Sequence, residues 1–133
     1  MRSYSNAIKW KILVVDDNSA IRELLVLRLK ESSYETVEAA TGLQAVEQAR
    51  STHPDLIIMD LGMPAGTGDE AIASLKADPA TRNIPVIVLT AFLHGSVLNR
   101  AMAAGAAEIL HKPVNLRSLE LVVQRHLLLE QSA

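Results

Sequence analysis

Four apolar residues, Leu56-Ile57-Ile58-Met59, run without a break and stop at Asp60, and Leu61-Gly62-Met63-Pro64 follows at once. A run that is apolar at every position, rather than at every second one, fits a strand covered on both faces. The glycine and proline just beyond it predict a loop at its end. This pattern restricts the chain to a buried parallel sheet with Asp60 delivered to its edge, and it makes Asp60 the candidate reactive group. An aspartate just past a strand is by itself commonly a turn or cap residue, so the other strand ends have to decide the matter.

They repeat the pattern. Ile12-Leu13-Val14-Val15 stops at Asp16-Asp17, and Ile84-Pro85-Val86-Ile87-Val88-Leu89 stops at the hydroxyl of Thr90, with its proline at the entrance where no ladder hydrogen bond is lost. Two further strands are mixed in character: Tyr34 to Ala39, which alternates, and the short Glu108 to His111 before Lys112-Pro113. Helices are predicted between them. The first runs from a cap at Asn18 or Ser19 to about Ser32, with Ile21, Leu24, Leu25, Leu27 and Leu29 as its apolar face. The second opens on the capping-box spacing Thr41 to Gln44, turns Leu43, Val46 and Ala49 inward and ends near Ser51. The third opens on the same spacing at Thr67 to Glu70 and reaches about Ala77, with Ile72 and Leu75 on its inner face. The fourth covers Ser96 to Ala104 and closes on Gly105, and the fifth is capped by Asn115 and buries Leu116, Leu119, Val122, Val123 and Leu127. Residues 1–10 read as a loose leader with Trp10 packing at the junction, residues 11–129 as one domain, and Glu130 to Ala133 as a fraying tail.

Strict alternation of five strands and five helices implies an α/β fold, a doubly wound parallel sheet with right-handed crossovers. The continuous apolar strands belong inside and the mixed ones at the edges, so the simplest spatial order is 2-1-3-4-5. The winding then reverses between the first and third strands, and such switch points bind ligands outside the carboxyl ends of the strands. Those ends carry Asp16, Asp17 and Asp60, with Thr90 and Lys112 beside them.

Two unit charges about 4 Å apart near a protein surface repel by roughly 4 kcal/mol, so three neighbouring carboxylates favour a cation. An oxygen-only ligand set points to a hard ion, and Mg²⁺, which takes one or two carboxylates and keeps waters and a phosphate oxygen, is preferred to Ca²⁺. A lysine ammonium and a threonine hydroxyl beside the metal suit a phosphoryl group. Bulk properties exclude other classes. With 133 residues the chain fits a single domain, and its 49% hydrophobic content marks it as globular rather than disordered. No apolar run approaches the roughly 20 residues of a membrane span, and the N-terminal stretch lacks the apolar core of a secretory signal. Cytoplasmic localisation is the default expectation, with no membrane partner. The absence of cysteine excludes disulfides and thiolate metal sites, and a net charge of -2 without a Lys/Arg cluster argues against direct nucleic-acid binding. The four histidines lack metal-ligand spacing.

From about Lys11 to Leu129 the chain resembles the receiver domain of two-component response regulators, stand-alone and chemotaxis-regulator-like, with a flavodoxin-like fold. The resemblance rests on Val15-Asp16-Asp17, on Asp60-Leu61-Gly62-Met63-Pro64 with Gly68, on Thr90-Ala91, and on Ala104-Gly105-Ala106 leading to Lys112-Pro113. It implies that Asp60 is the phosphoacceptor, that Asp17, Asp60 and the backbone carbonyl of Gly62 bind Mg²⁺, and that Asp16 acts through a metal-bound water. Thr90 would be the phosphoryl-sensing hydroxyl, Lys112 the phosphoryl-pairing cation, and the bond from Lys112 to Pro113 cis. The implied partners are a sensor histidine kinase or histidine phosphotransfer protein and a downstream protein effector, with a homodimer left open. The domain would catalyse its own phosphorylation and dephosphorylation without being a turnover enzyme.

One position departs from the family pattern. Receivers commonly carry Tyr or Phe three residues before the lysine, and here that residue is Ile109, which puts the usual coupling between the threonine and an aromatic in doubt. Phe92, two residues past Thr90, stands where the family modulates water access, and its apolar ring is expected to shield the phosphoryl group. With no residues left for a DNA-binding domain after the fifth helix, the chain reads as a stand-alone receiver, with a receiver cut from a larger regulator or hybrid kinase as the alternative. A small phosphohydrolase would need a second acid or base beside the nucleophile, which Asp60-Leu61-Gly62 does not offer. A nucleotide or flavin module would need a phosphate loop after the first strand, where two aspartates stand. A structural docking domain with an inactive site is the remaining alternative, weakened by the complete set of site residues.

Overall fold

The computed structural model describes residues 9–62, 67–91 and 95–132. Among these residues strands and helices alternate as β1 (Lys11–Val15), α1 (Ser19–Glu31), β2 (Glu35–Ala39), α2 (Gly42–Thr52), β3 (Leu56–Asp60), α3 (Thr67–Ala77), β4 (Val86–Thr90), α4 (Gly95–Ala104), β5 (Glu108–His111) and α5 (Leu116–Ser132). All strand pairs are parallel, in the order β2-β1-β3-β4-β5, the order that the burial of the strands predicts.

The two-residue period of a strand sends alternate side chains to opposite faces. Leu13, Val15, Ile57, Met59, Val86 and Val88 pack under α2, α3 and α4, whereas Ile12, Val14, Leu56, Ile58, Ile87 and Leu89 pack under α1 and α5. Each fully buried Leu or Ile contributes about 1.5–3 kcal/mol, and both layers share the same three central strands. The sheet is thereby held between helices on both sides, and its carboxyl ends are held in fixed relation.

Most helix ends follow from local chemistry. The Asn18 side chain accepts the Ile21 amide at 3.0 Å, the Thr41 hydroxyl accepts the Gln44 amide at 3.0 Å, and Asn115 Oδ1 accepts the Ser118 amide at 3.1 Å. The Gln44 side chain reaches back one residue further than a capping box requires and accepts the Ala40 amide at 2.8 Å. Gly105 closes α4 with φ of 118°, and a β-carbon there would meet the aliphatic stem of Lys76 at 2.7 Å.

Four details differ from the sequence-based expectation. Ile21, Leu24 and Leu27 of α1 are exposed, Leu27 by 58%, and the buried stripe is Leu25, Val26 and Leu29. Leu43 of α2 is 71% exposed, because Ala45, Val46 and Ala49 already fill the contact with the sheet. Thr67 is the first residue of α3 rather than the residue before it, so it does not stand at the cap position. α5 continues to Ser132, since neither proline nor glycine interrupts it.

Candidate functional site

β1 and β3 are neighbours, with Val15 opposite Met59, so the residues that follow, Asp16 on one strand and Asp60 on the other, emerge side by side. Asp16 is 1% exposed and Asp60 is also buried, while Asp17 faces solvent. One carboxylate oxygen from each of Asp16, Asp17 and Asp60 lies within 4.8 Å of the other two. Lys112, just past β5, reaches across β4 to this group. Its Nζ stands 3.2 Å from Asp60 Oδ1 and 3.7 Å from Asp16 Oδ2.

Short local hydrogen bonds fix the carboxylates. The Asn18 amide donates to Asp16 Oδ1 at 2.9 Å, the Gly62 amide donates to Asp60 Oδ1 at 3.0 Å, and the Asp16 amide donates to Ala39 O of β2 at 3.1 Å. Asp16 Oδ2 is buried without a hydrogen-bond partner among the described residues. Burial pushes the Asp16 carboxyl above its ordinary value; the Asn18 amide opposes this, the Asp60 charge adds to it, and the Lys112 charge opposes it. A lone buried carboxylate oxygen in a cluster of three acids, with no His or Cys among them, is an oxygen-only donor set that fits a hard divalent cation.

Thr90 ends β4 one residue beyond Leu89, the register partner of Asp60, and is fully buried. Its carbonyl accepts the Lys112 amide at 2.7 Å, which ties the loop carrying the lysine to the end of β4. Ile109 pairs with Val88 and packs into the layer under α2, α3 and α4. The Lys112–Pro113 bond is cis, and Pro113 is exposed. Gly62 is exposed and stands two residues after Asp60. Phe92 and the Met63-Pro64 pair lie outside the described residues.

The arrangement has relatives. A family model described as the response regulator receiver domain matches residues 12–124. The chain belongs to the response regulator receiver domain family. The polar-differentiation response regulator DivK of Brucella abortus (strain 2308) is 36% identical over 104 residues, covering 78% of this chain and 85% of DivK. Among solved structures, the chemotaxis response regulator CheY4 of Vibrio cholerae superposes with a TM-score of 0.83 at 31% identity, over 90% of this chain and 99% of that one. The receiver domain of sensor histidine kinase PA1611 from Pseudomonas aeruginosa PAO1, solved with a magnesium ion coordinated in the active site cleft, reaches 0.83 at 29% identity, over 90% of this chain and 98% of that one.

One contact in this receiver is not signalled by its sequence. Arg22 occupies a polar position on α1, where solvent exposure is expected, yet its Nη1 donates to the backbone carbonyl of Asp16 at 2.7 Å. A side chain that binds a backbone carbonyl leaves no residue-type signature at its target, so spacing alone does not mark it.

Proposed function

We propose that this receiver accepts a phosphoryl group on Asp60 from the phosphohistidine of a sensor histidine kinase or histidine phosphotransfer protein, and that the modification switches a protein-interaction surface. The convergence of Asp60 with Asp16, Asp17 and Lys112 at one sheet edge carries the proposal. In it, Asp17, Asp60 and the Gly62 carbonyl hold Mg²⁺, and Asp16 acts through a bound water. When bound, Mg²⁺ supplies positive charge that offsets the negative charge on the phosphoryl oxygens in flight.

The chain's own residues do the rest. Asp60 is the nucleophile: one of its oxygens forms the bond to phosphorus as the phosphorus–nitrogen bond breaks, and that electron pair leaves with the imidazole. Lys112, already 3.2 Å from Asp60, loses the carboxylate charge when Asp60 becomes an acyl phosphate and pairs instead with a phosphoryl oxygen. Thr90 responds with its hydroxyl, and because Lys112 and Thr90 share a backbone hydrogen bond, the ends of β4 and β5 move together. Ile109 supports a switch without the aromatic that receivers commonly use, so the output surface of α4, β5 and α5 is read by a downstream protein through aliphatic packing.

An apolar cleft of about 500 Å³ opens beside Lys112, between Ile21, Leu24 and Leu25 of α1, Leu89, Pro113 and Leu116. It offers the phosphodonor protein an apolar surface beside Lys112, with the exposed Ile21 and Leu24 on its wall. Among the described residues no helix is long and apolar enough to cross a membrane. In the proposed reading the receiver acts in the cytoplasm, modifies itself and turns nothing over.

The deciding measurement is intact mass after incubation with a small phosphodonor, with and without Mg²⁺. Wild type gains one phosphoryl group only with Mg²⁺, and Asp60→Asn gains none. A folded wild type that gains nothing, also from a histidine kinase, overturns the proposal in favour of a docking domain.

A further inference from the structure

We infer that Arg22 is a positioning residue for the acid pair at the end of β1. This inference rests on the proposed binding of Mg²⁺ by Asp17, Asp60 and the Gly62 carbonyl, with Asp16 acting through a bound water, and adds a device that aims the two aspartates at the end of β1. Arg22 sits in the first turn of α1 and its side chain is only 18% exposed. Two of its donors are used in different directions. Nη1 donates to Asp16 O at 2.7 Å, and Nε pairs with Glu38 Oε1 of β2 at 2.9 Å.

The carbonyl it holds belongs to the peptide unit between Asp16 and Asp17. That unit is planar, so fixing its oxygen fixes the amide of Asp17 as well and constrains the rotation on both sides of it. Asp17 is exposed, so the backbone rather than packing sets where its side chain leaves the chain. The same turn is held from its other end by Asn18, whose amide donates to Asp16 Oδ1 while its side chain caps α1. Arg22 thus couples the acid turn to α1 and to β2 at once. A rigid guanidinium fork can serve both acceptors, whereas an ammonium is a single point charge on a flexible stem. Mg²⁺ demands near-octahedral geometry, so small errors in the direction of Asp17 weaken it.

Four variants test the inference: Arg22→Ala, Arg22→Lys, Glu38→Gln, and as a control Arg50→Ala on α2, which breaks a pair with Asp78 just past α3 and away from the acid cluster. Mg²⁺ affinity is read by titration calorimetry, and amide hydrogen exchange at Asp17 and Asn18 is read without metal. Arg22→Ala weakens Mg²⁺ about tenfold, in the range for groups that orient metal ligands, and speeds exchange at both amides. Glu38→Gln weakens Mg²⁺ about threefold, as expected for loss of one exposed anchor. Arg22→Lys falls between Arg22→Ala and wild type, and Arg50→Ala leaves both readouts at wild-type values. Wild-type affinity and exchange in Arg22→Ala, or full function in Arg22→Lys, overturns the inference. If wild type itself takes up no Mg²⁺, the proposed function fails, and the metal-free exchange still decides the role of Arg22.

Discussion

Asp16 is the residue at which stability and the proposed function pull apart. Its carboxyl is buried with one oxygen lacking a hydrogen-bond partner, and burial raises its pKa above the ordinary 3.8. A carboxyl raised in the folded state binds its proton more readily there than in the unfolded chain. Its favourable contribution is therefore complete below the unfolded value and is lost as pH rises through the folded one. At pH 7 in chelator, Asp16→Asn is expected to resist urea better than wild type, with the gap narrowing as pH falls towards 4; a less stable variant would show that the ionised carboxylate is already well compensated. The residues of the site were legible because apolar runs that end in Asp16, Asp60 and Thr90 write strand ends directly into the sequence. Arg22 was not, since its partner is a main-chain oxygen brought close only by the packing of α1 on the sheet.

At the scale of elements, β5 and α5 are joined by a clasp. Glu108 of β5 accepts from Arg125 and lies 2.9 Å from His126 Nε2, both on α5. Burial raises the Glu108 carboxyl, but the hydrogen bonds from His126 and Arg125, together with their charges, outweigh it and hold the pKa below the ordinary 4.5. The sign is opposite to that of Asp16: the stabilisation is present above about pH 4.5 and is lost as pH falls through the lower folded value. Glu108→Gln is expected to lower stability at pH 7 by about 0.5–1 kcal/mol, the range for a partly exposed pair, with the gap to wild type narrowing as pH falls below the ordinary 4.5 and through the lowered folded value. Chemical denaturation across that range checks it, and a constant gap would mean that shape rather than charge makes the clasp. Helix faces were less legible than helices. α1 carries leucine around so much of its circumference that periodicity could not choose Leu25, Val26 and Leu29 over Leu24 and Leu27. The choice is made by packing on the sheet and α5, which takes up Leu25, Val26 and Leu29, while Ile21 and Leu24 are left on the wall of the cleft beside Lys112.

For the molecule as a whole, strand order was legible because a parallel sheet buries its centre on both faces, and β1, β3 and β4 carry the continuous apolar runs. The side-chain details at the carboxyl ends could be expected but not measured from spacing, since they depend on register between strands far apart in the chain. The opposite end of the sheet holds Trp10, the chain's single tryptophan, packed in the layer under α1 and α5 with its carbonyl accepting the Glu35 amide at 2.9 Å. Five strand residues separate it from Asp16, about 20 Å at the usual rise of a strand. Its indole emission is thus expected to shift in urea with loss of the fold and to stay unchanged on addition of Mg²⁺ or a phosphodonor. A change on Mg²⁺ addition would mean that occupancy at one end of the sheet is felt at the other. With unchanged emission on site occupancy, Trp10 is a built-in optical gauge of folding alone, and a melt and a site titration can be followed as independent channels on one sample.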